Sequence, residues 1–540
     1  MKRTMMSLIG VAVALGAVTG VAAVAAPDGG TAAAPADGTR LPVQRSALLC
    51  PAPTSSEVGE TAYTAFAPKG AAAGSGTGSG AGSGTTKGTA QLLPAGTVKD
   101  DGGSDRGTSK GQGQGKGTDT GKDSGAATAG GRVVPPRDTK PVVPLQQAGT
   151  PVTATTDRSD APALVGAADG ALAPGWTVQQ TTAVAAGAGR GLLGLSCTAP
   201  DTAFWFPGVS TGTGRQDYVH LTNPGSTPAV VDLELRGKDG ALGGAAGENI
   251  TVPPHTDVPV LLSTLTTAPT ADATLHVTAR EGRVGAAVQA VDGKLGSDWL
   301  PAAGDPSPGA VLPGIPKDAT SVRLVAIAPG DADADLKVQL ATPTGLITPA
   351  GLETLHVKSG MTTAVDLKDL TKGEAGSLVL TPADSTSKAP VAAALRVTRG
   401  TGDNQEMAFI PATRPVEQRA TAADNRDKGS TLSLVAPEKG KDARVKVTAS
   451  AGSGGGTPVT KTYTVKGGTT LEIDPPRPQG LKGGYALTVE PESGSGPVHA
   501  SRTLALPQGK VPAFTIQPLP DDRGSVLVPT AGQDLSVLTD

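Results

Sequence analysis

Three aspartates at alternate positions, Asp331, Asp333 and Asp335, have the residue type and spacing that could bind a metal ion. Carboxylates spaced in this way can converge on Ca²⁺, a hard cation that prefers oxygen ligands. The EF-hand pattern requires glycine at the sixth position of its loop, where this sequence has Leu336. Because aspartate is also common in solvated turns, the segment is more typical of a turn, and we predict no metal centre. The three aspartates are the candidates for a calcium site that would stiffen the chain.

Residues for acid–base or nucleophilic catalysis are present but form no known motif. None of the histidines is paired at the three- or four-residue spacing of helical metal ligands; they are His220, His255, His276, His356 and His499. Gly194-Leu195-Ser196-Cys197-Thr198 begins like the nucleophile elbow of α/β-hydrolases, but threonine stands where the second glycine is required. We therefore predict a protein that is not an enzyme, with no catalytic residues and no cofactor.

Cys50 and Cys197 are the only two cysteines. In an oxidising compartment a lone pair of cysteines most simply forms one disulfide. Such a bond would close a long loop and contribute about 4–5 kcal/mol in the chain-entropy model. The alternative, a nucleophilic or redox cysteine, needs a neighbouring base or a C-x-x-C motif, and neither is present. The sequence favours the structural disulfide.

From about residue 201 onward, polar and apolar residues alternate, which predicts the strands that would position any functional side chains. Val231, Leu233 and Leu235 alternate with Asp232 and Glu234, which is typical of a half-buried strand. The run at 218–221 precedes it across an Asn-Pro-Gly turn, so we predict a β-hairpin there. His220 and His276 alternate with apolar neighbours in the same way, and we expect both on the solvent face of their strands.

This pattern recurs about every 100 residues. Leu275, Leu378 and Leu487 occupy equivalent places at steps of 103 and 109 residues. Turn signals separate short strands within each copy, which is the rhythm of a β-sandwich. The sequence predicts an all-β chain of tandem immunoglobulin-like or fibronectin-like modules, with a β-propeller as the alternative.

Low-complexity sequence rich in Gly, Ser and Lys at residues 70–140 predicts a disordered insertion, with a short strand at Gln91–Leu93. The predicted organisation is a signal peptide at 1–25, an N-terminal β unit at 41–200 closed by the disulfide and interrupted by 70–140, and sandwiches at 201–305, 306–415 and 416–540.

Bulky side chains precede proline near the edges of the predicted modules. The segments are Phe204-Trp205-Phe206-Pro207, Trp299-Leu300-Pro301, Phe409-Ile410-Pro411 and the weaker Val526-Leu527-Val528-Pro529. Because aromatic residues usually serve packing, we expect these segments to seal the modules. An aromatic platform for glycans would need several exposed rings side by side, which spacing near 100 residues does not favour.

The beginning of the chain predicts export. Lys2 and Arg3 precede an apolar run from Met5 to Ala26, and small residues favour cleavage after Ala25. The alternative is an uncleaved N-terminal anchor ending near residue 26, which would be the chain's one attachment to a membrane. A net charge of −3 with both signs dispersed gives no basic face for nucleic acid.

Three segments together resemble a known family: the Lys2-Arg3 signal, Ser46-Ala47-Leu48-Leu49-Cys50-Pro51-Ala52-Pro53, and Tyr218-Val219-His220-Leu221-Thr222-Asn223-Pro224-Gly225. They are similar to uncharacterised secreted or membrane-anchored proteins of high-GC actinobacteria, grouped as a conserved family of unknown function. The resemblance covers most of the mature chain. It implies an extracytoplasmic location and no assigned activity, so it transfers no functional residues.

These observations predict an exported protein at the cell surface that acts as a structural or binding scaffold without catalysis. Its expected partners are cell-wall polysaccharide or other exported proteins, and not nucleic acid. The alternative is a carbohydrate-active enzyme or its accessory carbohydrate-binding module. Paired carboxylates facing a cleft would support that alternative.

Overall fold

The computed structural model describes residues 39–70, 87–100 and 131–528. No α-helix occurs among these residues, which form β-strands and three short 3-10 helices, Gly170–Leu172, Ala245–Gly247 and Leu262–Thr264. In this part of the chain no helix is long and apolar enough to span a membrane. The predicted signal or anchor lies outside the described residues. The prediction of an all-β chain is confirmed.

After β1 (Thr39–Pro42) the strands fall into four groups, here called units I to IV. Unit I (45–196) contains β2 (Arg45–Cys50), β3 (Gly59–Phe66), β4 (Ala90–Pro94), β5 (Gly96–Asp100), β6 (Gly131–Val134), β7 (Val142–Leu145), β8 (Val152–Thr156), β9 (Leu164–Asp169), β10 (Thr177–Val184) and β11 (Gly191–Ser196). Unit II (203–300) contains β12 (Ala203–Val209), β13 (Arg215–Asn223), β14 (Ala229–Gly237), β15 (Gly240–Ala241), β16 (Ile250–Val252), β17 (Thr256–Leu261), β18 (Ala273–Glu281), β19 (Gly285–Asp292) and β20 (Gly296–Leu300).

Unit III (310–411) contains β21 (Ala310–Ile315), β22 (Ala319–Ile327), β23 (Ala334–Thr342), β24 (Gly345–Ile347), β25 (Thr354–Val357), β26 (Thr362–Lys368), β27 (Gly376–Pro382), β28 (Ala392–Arg399) and β29 (Glu406–Pro411). Unit IV (420–518) contains β30 (Ala420–Asn425), β31 (Ser430–Ala436), β32 (Ala443–Gly452), β33 (Gly455–Thr457), β34 (Val459–Val465), β35 (Thr469–Ile473), β36 (Gln479–Lys482), β37 (Tyr485–Pro491), β38 (His499–Ala505) and β39 (Phe514–Pro518). The last strand, β40 (Ser525–Val528), pairs with β1. Residues 39–41 and 525–528 belong to one compact body, and the other described residues belong to a second.

The four units share one topology of two open antiparallel sheets. In unit II one sheet, here called the outer sheet, has the order β12-β18-β14-β16. The other, here called the inner sheet, has the order β20-β19-β13-β17. The same orders recur as β2-β9-β4-β7 and β11-β10-β3-β8 in unit I, β21-β27-β23-β25 and β29-β28-β22-β26 in unit III, and β30-β37-β32-β34 and β39-β38-β31-β35 in unit IV. In every unit the last strand therefore lies at the edge of the inner sheet.

Alternation along the strands builds the core between the two sheets of each unit. Val231, Leu233 and Leu235 are buried in unit II as predicted, because every second side chain of a strand points to the same face. The predicted hairpin between residues 218–221 and 231–235 is wrong, since β13 lies in the inner sheet and β14 in the outer sheet. The turn crosses from one sheet to the other, and the Asn223 amide donates to the Thr227 and Val252 carbonyls there.

The region expected to be a disordered insertion contributes three strands within its described parts. β4 includes the short strand predicted at residues 91–93 and lies inside the outer sheet of unit I. β5 pairs with β6 and also, in parallel, with β17 of unit II, so this region adds strands to the neighbouring unit. The parts of the insertion at 71–86 and 101–130 lie outside the described residues. The sequence did not predict β5 and β6, because they lie in glycine-rich, low-complexity sequence and contain few apolar residues.

Apolar contacts join each unit to the next and unit IV back to unit I. The last strand of unit III sends side chains into the core of unit II, and the last strand of unit IV does the same to unit III. Smaller apolar clusters join I to II and IV to I. The contributing residues are Leu193, Leu195, Ala287 and Trp299 for I–II, Met407 and Phe409 for II–III, Phe514 and Ile516 for III–IV, and Leu192, Leu504 and Ala513 for IV–I.

Candidate functional site at the junction of four edge strands

The last strands of the four units meet one another, and we call this place the junction. β20 contacts β11 and β29, and β39 contacts the same two strands. Glycine allows β11 to approach its neighbours: a Cβ on Gly194 would lie 2.5 Å from Cγ2 of Thr515, and one on Gly191 would lie 2.4 Å from the Ser297 carbonyl oxygen. Only residues without a side chain fit at such distances.

Asp298 of β20 is a fully buried carboxyl group at the junction. Its Oδ1 accepts hydrogen bonds from the backbone N–H of Gly194 at 2.9 Å and of Trp299 at 2.8 Å. The Thr515 hydroxyl of β39 donates to its Oδ2 at 3.0 Å. Burial raises the pKa of Asp298 well above its ordinary value, more than these hydrogen bonds lower it. One side chain of unit II thus connects strands of units I and IV.

Glu406 of β29 connects units III and I in a similar way. Its side chain is fully buried, and its Oε1 accepts from the Leu192 backbone N–H at 2.9 Å. Nη1 of Arg190 lies 3.4 Å from Oε2 of Glu406. Burial raises the pKa of Glu406 to about 7, against the opposing effects of the Leu192 hydrogen bond and the Arg190 charge.

The two acids have the perturbed pKa values that functional sites often show. A general acid must also reach a proton on a substrate, whereas the described partners of both carboxyls are groups of the junction itself. Clefts among the described residues lie elsewhere, for example one of 730 Å³ near Asp318 and Lys372 and one of 340 Å³ between units III and IV near Val311 and His499. The arrangement is suited to holding four strands together.

His220, expected on the solvent face, is buried instead. Its Nδ1 lies 3.0 Å from Oδ2 of Asp257, and the Thr222 hydroxyl donates to Oδ1 of the same carboxylate at 2.8 Å. The His220 and Trp299 rings make a T-shaped contact, with 5.4 Å between their centroids. The prediction failed because the second face of the inner sheet packs against unit I rather than against water.

The aspartates singled out from the sequence lie at the start of β23 and before it. Oδ1 of Asp335 lies 2.7 Å from Nδ1 of His356, and Oδ2 of Asp333 lies 3.5 Å from Nε2 of the same ring. Asp331 is exposed in the turn. In residues 39–70, 87–100 and 131–528, no group of three or more His, Cys, Asp or Glu side chains is placed to hold a metal ion.

The predicted disulfide between Cys50 and Cys197 is present, with the two Cα atoms 4.7 Å apart. Cys50 is the last residue of β2 in the outer sheet, and Cys197 directly follows β11 in the inner sheet, so the disulfide links the two sheets of unit I. An antiparallel bridge between Leu49 and Thr198 runs beside it.

Aromatic side chains before proline mainly serve packing. Phe206, Trp299 and Phe409 are fully buried in cores or between units. Trp205 differs, because it lies on the other face of β12 and is only partly buried. Its ring stacks on His276 with 3.8 Å between centroids, and Glu234 is the next cross-strand neighbour of that histidine. His276, also expected to face solvent, is partly exposed there.

Sequence reasoning missed Asp298 and Glu406. Each is an isolated acid in a short run of apolar or small residues, Gly296–Leu300 and Glu406–Pro411, with no partner nearby in the sequence. A charged residue inside such a run is the one available signal, because a carboxyl in a buried strand needs hydrogen-bond partners from elsewhere.

The chain matches a protein family over more than half of its length. The sequence model of a family described as "Family of unknown function (DUF5719)" matches residues 152–476. This range begins with β8 of unit I and ends after β35 of unit IV. No curated protein matches the chain significantly.

Proposed function

Since the chain belongs to this family of unknown function, we propose from its own geometry that it is a non-enzymatic, exported protein of the cell envelope that acts as a structural or binding scaffold. Within this proposal each unit is an immunoglobulin-like or fibronectin-like sandwich module. Two antiparallel sheets over a common core in about 100 residues are typical of such modules.

The observation that carries the proposal is the cycle of contacts from unit I through II and III to IV and back to I. Domains that pack through apolar contacts hold fixed positions, whereas domains joined by linkers alone move independently. Phe409 and Phe514 illustrate this, because each belongs to one unit in sequence and to the core of the preceding unit in space. A fixed arrangement of modules is what a scaffold requires.

The chemistry of the buried acids supports a structural role over catalysis. The partners of Asp298 and Glu406 described above are backbone and side-chain groups of neighbouring units. Export is supported by the N-terminal sequence and by the Cys50–Cys197 disulfide, since disulfides persist mainly in oxidising compartments.

Binding and hydrolysis can be measured in one experiment. The purified full chain is incubated with cell-wall polysaccharide fractions and with a panel of exported proteins, and both co-sedimentation and the release of reducing ends are recorded. We expect retention by at least one partner without release of reducing ends. Reducing ends released by the native but not the heat-denatured protein, or retention by no partner, would contradict the proposal.

A carbohydrate-binding module is the second candidate, and Trp205 favours it. An indole ring on an outer sheet, with Glu234 and His276 beside it, combines an apolar face with hydrogen-bonding groups, as sugar-binding sites do. Trp205→Ala is expected to lower retention on polysaccharide at least tenfold while leaving protein partners bound. The matched control is Trp299→Phe, which alters a buried tryptophan; equal retention by both variants and the native chain would exclude this site.

A further inference from the structure

One cross-strand pair in the inner sheet of unit IV departs from its equivalents in units II and III. The pair joins the last two strands of each sheet at the same register. It is Val288 with Leu300 in unit II, Leu395 with Ile410 in unit III, and Arg502 with Gln517 in unit IV. The four apolar residues are fully buried in the cores of their units.

Arg502 and Gln517 are buried as completely as the apolar residues that they replace. Nη2 of Arg502 donates to Oε1 of Gln179 in unit I at 3.1 Å. Within the part of the chain that the structure describes, Nε and Nη1 of Arg502, both amide atoms of Gln517 and the buried hydroxyl of Tyr485 have no hydrogen-bond partner. Leaving so many polar groups unpaired costs free energy, so a partner is expected.

Among the described residues no carboxylate is hydrogen-bonded to the Arg502 guanidinium. The carboxylate that acts on it is Asp424, whose oxygens already accept from Arg426 at 2.9 and 3.1 Å and from the Thr181 hydroxyl at 2.8 Å. Arg426 is partly exposed and is also acted on by the Glu60 carboxylate, whereas Arg502 is fully buried and shares Asp424 only at longer range. Burial lowers the pKa of Arg502 to about 10, which is the direction expected of an incompletely compensated cation. Water can satisfy unpaired donors but does not neutralise a buried charge.

We propose that the Arg502–Gln517 pair forms part of an internal binding site for a small monovalent anion of the size of chloride. The free N–H groups of Arg502, the Gln517 amide and the Tyr485 hydroxyl supply the donors. The anion balances the charge of the buried Arg502 guanidinium. Through the hydrogen bond from Arg502 to Gln179 and that from Thr181 to Asp424, the occupied site stabilises the contact between units IV and I. This inference does not depend on the proposed function.

Diffraction with bromide tests the site directly. Crystals of the full chain grown or soaked in bromide are expected to show an anomalous peak within hydrogen-bond distance of Arg502 and Gln517. A site that contains ordered water alone, in bromide as in chloride, would overturn the proposal. This measurement uses the native chain and does not depend on any variant folding.

Unfolding in solution gives a second readout. At constant pH and ionic strength, replacing gluconate by chloride is expected to raise the unfolding temperature with saturation, because a ligand that binds the folded state stabilises it. The double variant Arg502→Leu/Gln517→Ile restores the apolar pair type of unit III and should lose this dependence. Arg444→Gln, at an exposed arginine of unit IV, is the matched control and should retain it. A chloride effect of equal size in the native chain and the double variant, or no effect in the native chain, would refute the site.

Discussion

At the scale of single residues, Asp298 and Glu406 are acids placed where burial opposes ionisation. Both carboxyls accept hydrogen bonds from backbone N–H groups of β11, a strand that belongs to another unit. A carboxyl with a pKa raised to about 7 binds a proton in the native state at pH values where the unfolded chain has released it. The stability of the junction therefore depends on pH.

The Glu406→Gln substitution tests this dependence. Because burial raises the pKa of Glu406 from 4.5 to about 7, the native state binds more protons than the unfolded state between these values, and its stability falls as pH rises through this window. The free energy of unfolding is expected to fall by about 3 kcal/mol at most across this window, because each pKa unit corresponds to about 1.36 kcal/mol. The variant should unfold with a flatter pH profile than the native chain from pH 4.5 to 7. Urea unfolding at several pH values measures it, with Glu281→Gln at an exposed position as control; parallel profiles of native and Glu406→Gln chains would exclude the effect.

At the scale of elements, the edge strands of the four inner sheets are protected by one another. An unpaired strand edge exposes N–H and C=O groups that invite pairing with other chains. Here β11, β20, β29 and β39 meet at the junction, and the side chains of Asp298 and Glu406 accept hydrogen bonds from backbone N–H groups at the edge of β11. Glycine in β11 makes this approach possible.

Removing the Thr515 hydroxyl should weaken the contact between β39 and β20. Thr515→Val keeps the shape of the side chain but deprives the Asp298 carboxyl of a donor, which is expected to cost about 1–3 kcal/mol. The matched control is Thr421→Val, because the Thr421 hydroxyl is buried in unit IV with no partner among the described residues. Its loss should be neutral or stabilising. Denaturant unfolding of both variants measures the difference, and equal losses of stability would argue against a special role for Thr515.

At the scale of the whole molecule, the boundaries of the units in sequence differ from their boundaries in packing. Phe514 and Ile516 belong to unit IV by chain order, yet they complete the hydrophobic core of unit III. Phe514 also lies under the Arg399 guanidinium, 4.8 Å from its ring centroid. The stability of each unit is thus coupled to that of the next.

Phe514→Ala should therefore destabilise unit III although the substitution lies in unit IV. Truncating a buried phenylalanine costs about 3–5 kcal/mol, and amide hydrogen exchange is expected to accelerate in β22 and β28. Leu434→Ala, at a buried residue of the unit IV core, is the control and should accelerate exchange mainly in unit IV. Acceleration confined to unit IV in both variants would mean that the units are energetically separate.

The sequence by itself determined the elements, the repeat and the disulfide. Alternation of Val231, Leu233 and Leu235 predicts a strand because the two faces of a strand meet different environments, and this relation is local. The lone pair of Cys50 and Cys197 left one pairing to consider. Tertiary structure alone decided that β13 and β14 lie in different sheets, that His220 is buried, and that Asp298, Glu406 and Arg502 have partners in other units. Those outcomes depend on contacts between residues far apart in the chain. The polarity pattern of one strand does not indicate which surface packs against it.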